Sequence, residues 1–456
     1  MDELICLSPV DGREYARRPL ATDAEVERAL ERARRAQGDW AQVPLGERCA
    51  AILRFLAAME SLNPDIVPEL AWQMGRPVRY GGELRSLAER VRALVDIAPA
   101  ALAPFVAEAG RSAVRVPVGL VLVIAPWNYP FLTAANTIVP ALLAGNAVLL
   151  KHAAQTPLAG ERFSEALGIA GLPEGLFANL FLSHEQTARL LGSGLVDHAT
   201  FTGSVEGGRA IERAAAGSFT TLTLELGGKD PAYVRADAEL AGAVESLVDG
   251  SFYNSGQSCC GVERIYVDEA VWEPFVDGFV AAASQYRLGD PLDPDVSLGP
   301  MASARGAGSV REQVRQAVAA GATAHIPSQL FPADVDAGPY LMPQVLTGVD
   351  HGMALMREET FGPVVGIMKV AGDEEALRLM NDSAYGLTAS IWTRDLAAAE
   401  RLAVRVEAGT VFANRCDYLD PFLAWTGVKH SGRGASLGRY GFEAVTRPRS
   451  LHLRSA

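Results

Sequence analysis

Two short segments that are almost wholly apolar, Leu120–Ala125 and Ala147–Lys151, flank a helix-like stretch at Phe131–Leu143. This limits the folds open to the chain. A strand with one face in water alternates apolar and polar residues, whereas a strand without alternation is buried on both faces, as in a parallel sheet covered by helices. Parallel neighbours also need a crossover, which the intervening helix supplies. The order repeats nearby. Val114–Val118 with Gly119 reads as a strand turning into the first apolar segment, Ala199–Phe201 ends a further strand, and Gly203–Ala215 follows as a helix. Strands alternating with helices predict a doubly wound α/β domain.

A chain of 456 residues exceeds one ordinary core, and two or three domains are expected. Residues 21–60 read as helices, one opening at Asp23-Ala24-Glu25 and a second running through Arg48–Leu62. A second α/β unit shows strands at Arg264–Asp268, Val364–Val370 and Ser390–Thr393, with a helix at Ala270–Tyr286. The Pro- and Asp-rich stretches 290–295 and 327–338 read as surface loops.

Apolar residues make up 49% and charged residues 21%, a globular balance. The net charge of −13 disfavours nucleic acid or an anionic membrane as partner, and the basic stretch from Arg439 to Arg454 reads as a solvated or subunit-facing terminus. The start, Met1-Asp2-Glu3, lacks the basic and apolar regions of a signal peptide, and the longest apolar runs are broken by Gly or Pro short of a membrane span. Five cysteines, odd in number and scattered, do not suggest a disulfide framework, so a cytoplasmic location is expected. Adjacent Cys259 and Cys260 are poorly placed to ligate one metal, no His cluster accompanies them, and no metal site is expected.

Cys259 lies in Asn254-Ser255-Gly256-Gln257-Ser258-Cys259, and Glu225 in Leu224-Glu225-Leu226-Gly227-Gly228-Lys229, each set in a Gly-containing turn. A free thiol is only roughly 3% ionised at neutral pH, so a nucleophilic cysteine needs a local field or a nearby base. A carboxylate between two leucines has its pKa raised by desolvation, which suits a general base. The residues alone leave two readings open for Cys259, a nucleophile or a small buried hydrophobe.

Glu225-Leu226-Gly227-Gly228-Lys229 resembles the glutamate signature of the aldehyde dehydrogenase superfamily, and Gly256-Gln257-Ser258-Cys259 resembles its cysteine signature. Further matches follow in the family's order: Pro126-Trp127-Asn128-Tyr129-Pro130, Phe201-Thr202-Gly203-Ser204 with Gly208, Glu358-Glu359-Thr360-Phe361-Gly362-Pro363, and Lys429-His430-Ser431-Gly432. The resemblance runs from Ser8-Pro9-Val10-Asp11-Gly12 to the C-terminal strand region. It implies a Rossmann-like cofactor domain (1–98 and 118–227), an α/β catalytic domain (228–430), and a small β arm with the C-terminal segment (99–117 and 431–456) that joins a homodimer or homotetramer. It also implies oxidation of an aldehyde to its acid, with hydride passing to NAD or NADP. Cys259 would be the nucleophile, Asn128 the oxyanion donor and Glu225 the base that hydrolyses the thioester. Trp127, Lys151, Ala154, Gly203, Ser204, Gly208, Glu359 and Phe361 would surround the cofactor.

The chain departs from the family in places that bear on specificity. Ala154 stands where most NAD-preferring relatives carry a glutamate, so a charge that would repel a 2′-phosphate is missing and NADP use is expected to be open. By resemblance the substrate pocket draws on Thr133, Asn136, Thr137, Tyr253, Ser258, Arg415, Tyr418 and Trp425. Asn136 and Thr137 occupy the helix in which succinate-semialdehyde enzymes place an arginine, which argues against that substrate; Arg415 is an alternative clamp. Trp425-Thr426-Gly427 replaces the common Phe-Gly-Gly. Two other functions are weighed: an acylating enzyme that passes the acyl group to coenzyme A, which the presence of Glu225 disfavours, and a non-catalytic protein that kept the fold.

Overall fold

The computed structural model describes residues 3–454, and the ends of the expected domains at 1–2 and 455–456 lie outside the described residues. The apolar segments do form buried parallel strands. A six-stranded sheet runs in the order Gly432–Arg433, Thr221–Glu225, His198–Thr202, Leu120–Ile124, Ala147–Lys151, Phe177–Asn179, parallel throughout except for its first pair. Every residue of Leu120–Ile124 and Ala147–Lys151 is buried, and the crossover helix is Pro130–Leu143. From Leu120–Ile124 the chain first adds strands to one side and then to the other. Ligands of open α/β sheets bind at such a reversal, beyond the carboxyl ends of the strands.

A second sheet of seven strands runs Thr323–Ala324, Gln344–Thr347, Val364–Val370, Val262–Asp268, Asp230–Val234, Thr388–Trp392, Thr410–Ala413, again parallel except for its first pair. Helices Leu240–Phe252 and Trp272–Ala283 bury their apolar sides against it. A third sheet of three antiparallel strands joins Thr446–His452, Arg111–Pro117 and Phe105–Glu108. Among the described residues no helix is long and apolar enough to cross a membrane.

Two of the strands that the structure adds to the sequence reading bear on the site. Glu225 ends the strand Thr221–Glu225 instead of sitting within a turn. Asp230–Val234 lies in the middle of the seven-stranded sheet although it contains Pro231, a residue that cannot donate to a ladder. The ladder with Val262–Asp268 shifts register between Asp230 and Pro231, which accommodates the missing donor. The second N-terminal helix also runs further, over Leu45–Met74, and stops at Gly75, whose φ of 82° places it in the left-handed region.

Candidate active site

The loop bearing Cys259 is shaped by three consecutive left-handed residues, Asn254 (φ 54°), Ser255 (φ 56°) and Gly256 (φ 67°). Gly256 is required by a close approach as well, since a Cβ there would stand 2.2 Å from the Gly362 carbonyl oxygen. Side chains pin the loop: Ser255 Oγ donates to Gly299 O at 2.9 Å, and Gln257 Oε1 accepts from the Ala302 N–H at 2.9 Å. Asn128, buried just beyond the end of Leu120–Ile124, donates from Nδ2 to Gln257 O at 3.0 Å. Its own carbonyl accepts from Arg76 Nη2 and Asn254 Nδ2. One amide hydrogen therefore ties Asn128 to the cysteine loop and leaves the other for a ligand.

The Glu-Leu-Gly-Gly-Lys segment serves several neighbours at once. Glu225 is buried, with Ser436 Oγ donating to Oε1 and Thr202 Oγ1 to Oε2 at 3.4 Å. Burial raises its pKa above the ordinary carboxylate value, while the Ser436 hydrogen bond, Arg90 and Thr202 hold it back. A Cβ on Gly227 would stand 2.3 Å from Glu359 Oε2, and one on Gly228 would stand 2.4 Å from the Cys259 carbonyl oxygen. The two glycines thus let the glutamate segment lie against both the Glu359 loop and the Cys259 loop. Lys229 Nζ pairs with Glu263 Oε2 at 2.5 Å in the interior and donates to Thr360 Oγ1 at 2.8 Å. Glu263 in turn accepts the Thr360 and Phe361 N–H groups, so this pair fixes the Glu359–Phe361 turn. Ser431, from the Lys-His-Ser-Gly segment, donates to Gly227 O at 2.7 Å and clamps the same turn from behind.

The expected cofactor residues gather at the carboxyl ends of the six-stranded sheet. Helix Val205–Ala215 follows strand His198–Thr202, with Gly203 between them, and Ser204 caps the helix by accepting the Gly207 N–H at 3.1 Å. Gly208 packs against Leu226. Trp127 and Phe361 meet edge to face with ring centres 5.7 Å apart. Burial pushes Glu359 up to about 8, although the Gly228 N–H donates to it. Lys151 is buried at its strand end, desolvation lowers its pKa, and Ala154 is exposed three residues on. A dinucleotide fits these groups: Lys151 has no ion pair among the described residues, and Gly227 leaves room for the Glu359 carboxylate where a side chain would block it. His152 is less open to a ligand. It is held between Pro130 O and Thr156 Oγ1, and burial drops its pKa to about 4.

A cavity of about 600 Å³ opens on Cys259 and is lined by Thr133, Tyr253, Ser258 and Tyr418 from the expected set. Four other members of that set lie elsewhere. Arg415 is exposed and stacks its guanidinium 3.3 Å from the centre of the Tyr418 ring, so it is no clamp within the cavity. Trp425 is buried in a cluster with Cys260, Leu387 and Leu437, where its area is worth more than at a wet wall. Asn136 and Thr137 are buried behind the cavity wall, Asn136 accepting from Arg90 Nη1 at 2.9 Å.

The cavity also holds residues that sequence reasoning left out, among them Glu83, Arg90, Tyr129 and Asp249. Glu83 (φ 63°) pairs with Arg76 at 2.5 Å and accepts the Phe131 and Leu132 N–H groups, closing the first turn of Pro130–Leu143. Asp417, two residues beyond Arg415, accepts from Ser258 Oγ and Cys260 Sγ, each at 3.0 Å. Burial pushes it up to about 6. The Cys260 thiol is raised well above its ordinary value by its hydrogen bond with Cys259 and by burial, which leaves it a poor nucleophile beside its neighbour. The unusual left-handed φ of Glu83 and Asp417 has no trace in the sequence, and neither residue sits in a recognisable pattern.

Residues 2–451 match the Aldehyde dehydrogenase family. The chain is 33% identical over 443 residues to the NADP(+) succinate-semialdehyde dehydrogenase 1 of Mycobacterium tuberculosis, covering 95% of this chain and 96% of that protein. It is 34% identical to the betaine aldehyde dehydrogenase of Cereibacter sphaeroides, covering 98% and 93%. The crystal structure of succinic semialdehyde dehydrogenase from Streptococcus pyogenes in complex with NADP+ superposes with a TM-score of 0.93 at 27% identity, covering 99% of this chain and all of that one. With the match spanning nearly every residue, this chain belongs to the aldehyde dehydrogenase family and is an NAD(P)-dependent enzyme that oxidises an aldehyde.

Proposed function

We propose that the oxidation runs through a covalent bond to Cys259 and ends in hydrolysis to the free acid. Cys259 Sγ adds to the aldehyde carbon, and the oxyanion that forms is met by the Asn128 Nδ2 amide and the Cys259 N–H. When bound, the dinucleotide supplies the hydride acceptor. Glu225 then takes a proton from the water that attacks the Cys259 thioester, and the acid leaves as the sulfur is regenerated. Trp127, Ser204, Gly203 and Gly208 hold the pyrophosphate side of the cofactor, Lys151 its adenosine ribose, and Glu359 with Phe361 the nicotinamide end. The observation that carries this reading is the packing of Gly228 on the Cys259 carbonyl, with Asn128 bonded to the same loop. It supports the reading because the segments carrying the proposed nucleophile, amide donor and base pack on one another.

A cofactor domain at 1–98 and 118–227 and a catalytic domain at 228–430 are proposed; the two large parallel sheets support this division, with Gly432–Arg433 extending the first of them. The three-stranded sheet is proposed as an arm covered by a second copy of the chain. Its exposed Phe105, Val106 and Leu453 support that reading, because apolar side chains gathered on one exposed sheet mark an interface. A cytoplasmic location is proposed from the free state of all five cysteines.

The test is formation of reduced cofactor from an aldehyde panel with NAD and with NADP. Cys259→Ala abolishes turnover and Cys260→Ala retains a substantial part of it; alkylation that maps to Cys260 with an active Cys259→Ala enzyme overturns the assignment.

A further inference from the structure

The one buried cation on the cavity lining has no ion pair among the described residues. Arg90, on helix Leu84–Ala101, is 7% exposed and lines the same cavity as Cys259. Its Nη1 donates to Asn136 Oδ1 at 2.9 Å and to Leu132 O at 3.3 Å, both neutral acceptors. No carboxylate lies within ion-pair distance of it among the described residues. Three of the four acids that share the cavity are committed elsewhere, and the fourth, Asp249, is exposed. Glu83 is held by Arg76 and two backbone N–H groups, Glu89 accepts from the Tyr418 hydroxyl, and Asp417 accepts from Ser258 and Cys260.

A second observation points the same way. Asn136 Nδ2 is buried and has no hydrogen-bond partner, and the amide cannot be turned round, because that would set its NH2 against the guanidinium. Arg90 thus presents to the cavity a charge that only neutral acceptors meet, and Asn136 behind it keeps Nδ2 unpartnered among the described residues. A guanidinium taken out of water gains most when an anion meets it, and its planar fork matches a carboxylate.

We propose that Arg90 binds a carboxylate carried by the substrate itself, which makes the substrate a short aldehyde acid and Arg90 the residue that selects it. This rests on the aldehyde oxidation at Cys259 proposed above. The sequence argued against such a substrate because Asn136 and Thr137 stand where a clamping arginine was expected. In the fold the charge comes from the neighbouring helix, and Asn136 holds its guanidinium in place. Arg90 and Cys259 line one cavity, so an anion held by Arg90 shares that cavity with the reacting carbon. Asp249 and Glu89, both exposed around the cavity, repel an anion carried on a longer chain.

The experiment compares kcat/KM for succinate semialdehyde with that for butanal, an aldehyde of equal length without the charge, in the wild type and in Arg90→Met. The wild type prefers succinate semialdehyde, and Arg90→Met lowers that preference by about 10²-fold, with Arg90→Lys intermediate. A preference unchanged in Arg90→Met, an equal fall for both aldehydes, or a wild type that favours butanal overturns the proposal. Protection of Cys259 from iodoacetamide by succinate provides a readout that needs no turnover. Protection of the wild type but not of Arg90→Met supports the carboxylate site, and equal protection of both refutes it. Absence of turnover on every aldehyde would instead count against the oxidation reading and leave the protection result to judge Arg90.

Discussion

Gly228→Ala tests whether the glutamate and cysteine segments form one device. The added carbon would stand 2.4 Å from the Cys259 carbonyl oxygen and 2.7 Å from Asp230 Oδ1, whereas ordinary contact begins near 3.4 Å. Some atom must move by about 1 Å. Asp230 is poorly able to yield, because Thr388 donates to its Oδ2 from Oγ1 at 2.6 Å and from N–H at 3.1 Å. The displacement therefore falls on the Cys259 main chain, which is also one of the two proposed oxyanion donors. A misplacement of about 1 Å in a reacting group costs on the order of 10²-fold in rate. The same overpacking costs roughly 1–3 kcal/mol of stability, which a protein of this size survives. The assay is the single-turnover burst of reduced cofactor, read beside a thermal melt. A burst slowed about 10²-fold in a folded enzyme is the expected result. A wild-type burst rate in a variant that melts normally would refute the argument, since the Cys259 loop would then absorb the carbon without losing its geometry.

Glu225→Gln keeps an acceptor for Ser436 but removes the proton acceptor, so one burst is followed by a stall, with hydrolysis slower by about 10²–10⁴-fold and an acyl group on Cys259 visible by mass spectrometry. Because burial raises the Glu225 pKa, wild-type hydrolysis rises with pH through that elevated value and is lost as pH falls through it; full turnover by Glu225→Gln with the same pH limb would remove Glu225 from the mechanism. Ala154→Glu sets a carboxylate beside the position expected to take the adenosine ribose, and the ratio of Kd values should shift towards NAD by roughly 10–100-fold, while an unchanged ratio would show that residue 154 does not face the ribose.

Much of the fold was legible in the chain because its signals are local. The short, almost wholly apolar runs at Leu120–Ile124 and Ala147–Lys151 fit strands covered on both faces, and the helix between them supplies a parallel crossover. Asp230–Val234 was missed because Pro231 argues against a central strand, and only the register shift beside it makes that strand possible. The reacting groups were legible too, since Cys259, Glu225 and Asn128 each sit in a short recognisable segment. Their surroundings were not. Ser436 reaches Glu225 across 211 residues, Glu263 fixes the Phe361 turn across 98, and Asp417 meets Cys260 across 157. Arg90 gives no sign of its role in sequence, because one arginine on a helix looks like any solvated residue. What sets it apart is burial without a counter-charge, a property of the whole packed cavity. The sequence by itself determined which atoms can react and the kind of sheet that carries them. Tertiary structure decided which charges stay unpaired beside them, since the cost of desolvating a charge depends on every neighbour the fold brings within reach.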